Sequence, residues 1–144
     1  IVEELPEFLR ETAFLDRMRG LIPGWKIAKL TANSFAAGIG LKSDFFGNAL
    51  LALRDDLSHD QYCARRVELD AVRPYKRNQD ALVAISSGLM KILFPHGVVS
   101  DYEFNYYCVR IARELRQIIW NQMQRLDSEY RQYEDEIRYK ILPE

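Results

Sequence analysis

Asn78-Gln79-Asp80-Ala81-Leu82-Val83-Ala84-Ile85-Ser86-Ser87-Gly88-Leu89-Met90-Lys91-Ile92-Leu93 is the most plainly helical run of this chain. Leu82, Ile85, Leu89, Ile92 and Leu93 recur three and four residues apart, which lays one apolar stripe along a helix. Asn78 reads as its cap, Pro95-His96-Gly97 as its close, and Pro74 as the end of any helix before it. The neighbouring segments read the same way, so the expected fold is all-α.

Downstream, Ser100 and Glu103 form a capping-box pattern, and no Gly or Pro follows until after Leu142. A single helix over that span would be roughly 60 Å long at about 1.5 Å per residue, longer than the domain is wide. Phe104, Cys108, Ile111, Leu115, Ile119, Met123, Leu126, Tyr130, Tyr133, Ile137 and Ile141 keep the three-or-four spacing to its end, so a projecting half needs a partner to cover it. The alternative is a break near Asp127-Ser128, with the chain folding back as a hairpin.

Upstream, Ser58 with Asp60 starts a helix running to about Val67 or Leu69. Ser43 caps another, with Asp44 at its positive end and Phe46, Ala49, Leu50, Leu53 and Leu57 at helical spacing. Thr31 to Gly40 is a small-residue connector, and Lys26 to Leu30 reads as extended chain. Before it, Thr12 caps a short helix, Ala13 to Arg19, that Gly20 stops and Pro23-Gly24-Trp25 turns away from. Thr12 to Trp25 is the most densely punctuated stretch and reads as a hinge, with Arg17 its leading functional side chain.

The 144 residues suit one domain, and a formal net charge of −1 argues against a protein working mainly by non-specific attraction to nucleic acid. Cys63 and Cys108 stand apart, with neither a CxxC pattern nor a His at ligand spacing, so no zinc site or disulfide framework is expected and a reducing cytoplasm is the default. No run approaches the roughly 20 apolar residues that span a bilayer. Beginning at Ile1-Val2-Glu3 without Met, the chain reads as a piece cut from a larger protein.

No nucleophilic or metal-based active site assembles from these residues. His59 and His96 are isolated in a cap region and a turn, and Ser86, Ser87 and Lys91 lie inside a helix where hydroxyls bond back to carbonyls. A Gly-rich phosphate loop is absent from the sequence. What stands out is a basic corner of Arg65, Arg66, Arg73, Lys76 and Arg77, where a phosphate would also meet the free N–H groups of a helix start. The alternative is a solvated basic surface.

Thr12-Ala13-Phe14-Leu15-Asp16-Arg17, Gly20 and Ile22-Pro23-Gly24-Trp25 resemble the signature of the Lon-like AAA+ ATPases of bacterial BREX phage-exclusion systems. The resemblance continues through Gly38-Ile39-Gly40-Leu41, Ser43-Asp44-Phe45, Arg54, Arg77, Ser87-Gly88-Leu89, Lys91 and Phe94-Pro95, and fades after Glu114-Leu115-Arg116. Arg19, Leu21, Ala28 and Val83 depart from the pattern.

The resemblance implies the end of an ATPase core (residues 1–30), a helical lid bundle (31–99) and a long C-terminal helix (100–144). It implies that ATP and Mg are bound by the full-length protein and not stably by this piece. The partners it implies are the protein's own upstream core and further copies in a homo-oligomeric ring, with no membrane. Arg17 is then similar in placement to an arginine finger acting in trans, and Arg77 to the sensor-two arginine of its own subunit, with Arg73 and Lys76 as further phosphate-sensing candidates. A guanidinium suits both roles because it stays charged and clamps two phosphate oxygens. A second class of function is an independent helical module that holds DNA at the basic corner and a protein partner on the terminal helix.

Overall fold

Helix α4, Lys76–Leu93, is the axis on which the rest packs. Its buried residues are Asn78, Ala81, Leu82, Ser86, Ser87 and Met90, while Ile92 and Leu93 are exposed. The inward face is therefore rotated from the expected stripe toward small side chains, which lets α3 (Ser58–Arg66), β1 (Val67–Leu69), the π-helical stretch (Phe104–Val109) and α6 (Arg110–Leu126) approach closely. Asn78 is not a cap: the helix starts at Lys76, and Asn78 sits buried inside its first turns. Thr12, Ser43 and Ser58 likewise open their helices one position past the cap.

The computed structural model describes residues 2–35 and 37–143. Ile1, Glu144 and Ala36 of the Thr31 to Gly40 connector lie outside the described residues. In chain order come α1 (Thr12–Arg17), α2 (Ser43–Arg54), α3 (Ser58–Arg66), β1 (Val67–Leu69), α4, α5 (Asp101–Glu103), a π-helical stretch (Phe104–Val109), α6 (Arg110–Leu126) and β2 (Tyr139–Ile141). Short 3₁₀ turns punctuate the first 34 residues; Lys26, expected in extended chain, closes the Gly24–Lys26 turn, and Ile27 after it is extended. The fold is all-α apart from one two-stranded ribbon. Among the described residues no helix is long and apolar enough to cross a membrane.

That ribbon corrects the expected end of α3. The helix stops at Arg66, and Val67 to Leu69 pairs antiparallel with the tail: Val67 faces Ile141, Glu68 faces Lys140, and Leu69 faces Tyr139. The period-two alternation buries Val67 and Leu69 and leaves Glu68 outside, 3.2 Å from Lys140.

The capping box at Ser100 forms as expected, with the Ser100 N–H donating to Glu103 Oε2 at 3.0 Å and the Glu103 N–H to Ser100 Oγ at 3.3 Å. The long C-terminal helix that follows passes through the π-helical stretch and ends at Leu126, not Leu142. The break falls at Asp127-Ser128 and the chain folds back, the alternative reading of the sequence. Asp127 leaves helical dihedrals at φ −138° and ψ 128°, and its carboxylate accepts the Glu129 N–H at 2.9 Å.

The apolar stripe beyond that break has a covering surface close at hand. Tyr130 and Tyr133 pack edge-on against Tyr75 and Trp120, with ring centroids 5.2–5.9 Å apart. The Trp120 indole N–H donates to the Glu134 carbonyl at 2.9 Å, and Gln117 Oε1 accepts the Ile137 N–H at 2.8 Å. A straight helix would leave those rings in water.

The resulting core joins Val2, Leu15, Cys63, Leu82, Met90, Phe104, Val109, Ile119, Trp120, Met123 and Ile137, drawing on all three expected segments of the chain. In contrast, α2 has no buried residue, and Phe45, Phe46, Leu51 and nearby Leu57 are more than half exposed.

Candidate functional site

α1 is only six residues long, and Leu15 anchors it in the core. That anchor carries the adjacent Asp16 inward, where its side chain is 4% exposed. A carboxylate removed from water must be paired and hydrogen-bonded. Oδ1 lies 2.9 Å from Arg116 Nη2, while Oδ2 accepts the Tyr75 hydroxyl at 2.7 Å and lies 3.1 Å from Arg77 Nε. One acid thus gathers three donors, two from the start of α4 and one from α6.

Arg116 is fully buried. Its Nε donates to Asn78 Oδ1 at 2.8 Å, and its Nη1 donates to the carbonyls of Asp16 at 3.2 Å and Met18 at 2.6 Å. Burial pulls its pKa down, and the hydrogen bond and charge of Asp16 pull it back up. The Tyr75 phenol is pushed well up, first by burial and then by the Asp16 carboxylate. Together these residues lock α1, α4 and α6 to one another. Gly20 completes the lock: a Cβ there would stand 2.9 Å from Leu115 Cβ, and the next residue, Leu21, donates its N–H to the Leu115 carbonyl at 3.2 Å.

On the outer side of the network lies a cleft of about 140 Å³, lined by Asp16, Arg17, Arg19, Arg77, Asp80, Ala81 and Arg116. Asp16 and Arg116 are buried and paired with each other. The arginines that line the cleft from the solvent side are therefore Arg17, Arg19 and Arg77, with Asp80 beside them, and this excess of basic side chains suits it to an anion. Arg17 is exposed, with Nη1 donating to the Ala13 carbonyl at 2.6 Å. The Arg77 side chain is 45% exposed and meets Asp16 through Nε. The two leading sequence candidates, far apart along the chain, therefore share one cleft.

Other candidates do not join them. Lys76 is exposed and paired 2.6 Å from Asp80 in an (i, i+4) bridge. Arg73 lines a separate crevice with Tyr75, Trp120, Tyr133 and Glu134. The basic corner does not form as one patch, because Arg66 is buried: it donates to the Leu142 carbonyl at 2.6 Å and to Tyr62 Oη at 2.6 Å, and lies 2.5 Å from Asp101. Arg66 is a pillar beneath the ribbon, while Arg65 faces solvent.

Ser86 and Ser87 do not meet the expectation for them: both are buried in α4, and neither hydroxyl bonds back to a helix carbonyl. Lys91 pairs with Asp60 at 2.7 Å and donates to the Arg54 carbonyl at 3.3 Å, so its ammonium is engaged beside the buried Ser87. His59 is buried, with Nε2 facing the Phe94 carbonyl at 3.1 Å. Because a carbonyl only accepts, Nε2 carries the proton. Cys63 and Cys108 are free and buried, and burial pushes their thiols up to about 12 and about 11. Among the described residues no group of three or more His, Cys, Asp or Glu is placed to hold a metal ion.

Sequence reasoning missed the buried hub itself. In the sequence Asp16 stands out only as part of the Thr12 to Arg17 signature, Asn78 reads as a cap, and Arg116 as the last piece of the resemblance. The available signal was spacing: Arg116 falls on the same face of α6 as Ala112, Ile119, Trp120 and Met123. An arginine there must find an acid.

The family described as Lon-like protease BrxL-like, ATPase domain, matches residues 1–136. The chain is similar to the Lon-like protease BrxL of Escherichia coli O9:H4 (strain HS), 27% identical over 134 residues, which cover 88% of this chain and 18% of that protein. It is also similar to the Lon-like protease BrxL of Bacillus cereus (strain H3081.97), 30% identical over 106 residues, 67% of this chain and 14% of that protein. The chain thus spans less than a fifth of the length of these curated relatives.

Proposed function

We propose, from the premise that this chain belongs to the BrxL-like family of Lon-like proteases and matches its ATPase domain, that it is the nucleotide-sensing and oligomerisation part of an ATP-driven machine and has no turnover by itself. The observation that carries the reading is the arginine cleft, in which Arg17 and Arg77 stand together on a rigid base. In the full-length protein these two residues, with Arg19 beside them, meet the phosphates of ATP. They neutralise charge as it builds on the transferred phosphoryl group. Bound ATP supplies the phosphoanhydride whose hydrolysis drives the machine; its base, ribose and magnesium contacts are assigned to the rest of the protein.

Arginines in this position are worth about 10³ to 10⁵ in rate in related phosphoryl-transfer systems. Full-length Arg17→Ala and Arg77→Ala should therefore each lose ATP turnover by about 10³ or more, while this chain alone binds ATP weakly or not at all. The measurement is steady-state phosphate release by purified full-length variants whose unfolding midpoints match the parent. Normal turnover in both would refute the reading.

A further inference from the structure

An arginine that reaches a neighbour's nucleotide and one that reads its own subunit's nucleotide would have to face two different sites. This structure offers them one. Arg17, at the end of α1, and Arg77, in the first turn of α4, line the same cleft. Asp16 is the reason: the residue next to Arg17 in the chain is the one that Arg77 meets at 3.1 Å.

The elements carrying the two arginines cannot part easily. Asp16 Oδ2 also accepts the Tyr75 hydroxyl, from the residue before α4, and Oδ1 is held by the fully buried Arg116. Arg116 in turn donates to Asn78 inside α4 and to two carbonyls at the end of α1. Swinging α1 away from α4 would expose both members of a buried ion pair and break these bonds together, which is unfavourable for groups so fully desolvated. The Gly20 approach to Leu115 and the bond from Leu21 to the Leu115 carbonyl tie the outgoing chain to α6 as well. α1, α4 and α6 therefore move as a unit.

We infer that Arg17 and Arg77 act on the phosphates of a single nucleotide, as one two-arginine clamp, and not on two nucleotides in two subunits. The inference rests on the nucleotide-sensing reading above. It departs from the expectation that Arg17 works in trans while Arg77 works within its own subunit.

Mixed assemblies of the full-length protein test it. Arg17→Ala and Arg77→Ala subunits are each co-expressed with subunits that cannot bind nucleotide but keep both arginines, and the assemblies are purified through two different tags. Both arginines are surface residues beside, not within, the Asp16–Arg116 pair, so the variants should fold, and matched unfolding midpoints verify this.

A clamp requires the two variants to behave alike. Either both regain ATP turnover by about tenfold or more over either parent preparation, which means that both arginines are donated to a neighbour, or neither does, which means that both serve their own subunit. Recovery of one variant without the other overturns the inference and leaves the nucleotide-sensing reading standing. Loss of turnover in only one unmixed variant overturns it too. Full turnover in both unmixed variants removes the reading on which it rests.

Discussion

At the residue scale, one carboxylate decides how the site is held. Asp16 is paired with Arg116 out of water, so removing either partner leaves an unbalanced buried charge. Asp16→Ala and Arg116→Ala should each lower stability by about 3–5 kcal/mol, read from urea unfolding of this chain. Asp16→Asn/Arg116→Gln, which deletes both charges, should recover a substantial part of that loss. Arg77→Ala should cost about 1 kcal/mol or less, because its guanidinium is part-exposed and Asp16 keeps its other donors. Equal losses in all the single variants would show that burial is not what gives the network its weight.

The buried thiols give a signed pH prediction at the same scale. Their pKa values are raised by folding, from 9.0 to about 12 for Cys63 and to about 11 for Cys108. The folded state therefore holds protons that the unfolded state releases, and stability is fully present below pH 9 and falls as pH rises toward 11. Urea midpoints should drop across that window, and Cys63→Ala should flatten the fall relative to its own value at pH 8. A parent midpoint independent of pH there would contradict the burial of both thiols.

At the element scale, the informative event is the end of α6. The apolar stripe that reads as one long helix is real, but its second half is used from the opposite direction, folded back over Trp120 and Tyr75. Trp120→Ala should cost about 3–5 kcal/mol and free the return segment, which limited proteolysis near Arg131 would detect. Gly20 is the second such point. A methyl group there meets Leu115 Cβ, which sits on a helix backbone and cannot move aside. Gly20→Ala should destabilise by about 1–3 kcal/mol, and no change in the urea midpoint would mean that the crossing is looser than the structure gives.

At the scale of the whole molecule, the chain divides into a bound part and an unbound part. α3 to β2, with α1, share one buried cluster, whereas α2 and the connector before it keep large apolar side chains in solvent. Local stability follows buried contact, so amides of α2 should exchange with deuterium far faster than those of α4 and α6 when this chain is studied alone. Protection of α2 equal to that of α4 would show that it is packed. In the full-length protein the same amides should slow, because the proposed assembly role gives that apolar face something to lie on.

What the amino-acid sequence determined by itself was local: helix periods, the Ser100 capping box, the Pro and Gly stops, and the side-chain types in the Thr12 to Trp25 signature that placed the chain near its family. Arg17 and Arg77 were legible as candidates for that reason. Only the tertiary structure decided which face of α4 turns inward, where the last helix breaks, that Arg66 is a buried pillar, and that Arg17 and Arg77 share a cleft. These depend on pairings such as Asp16 with Arg116 or Val67 with Ile141, between residues far apart along the chain. Periodicity shows that a side chain needs a partner, but the partner is chosen by packing. The energy that settles the choice, burial of charge and of aromatic surface, exists only once the distant segments meet.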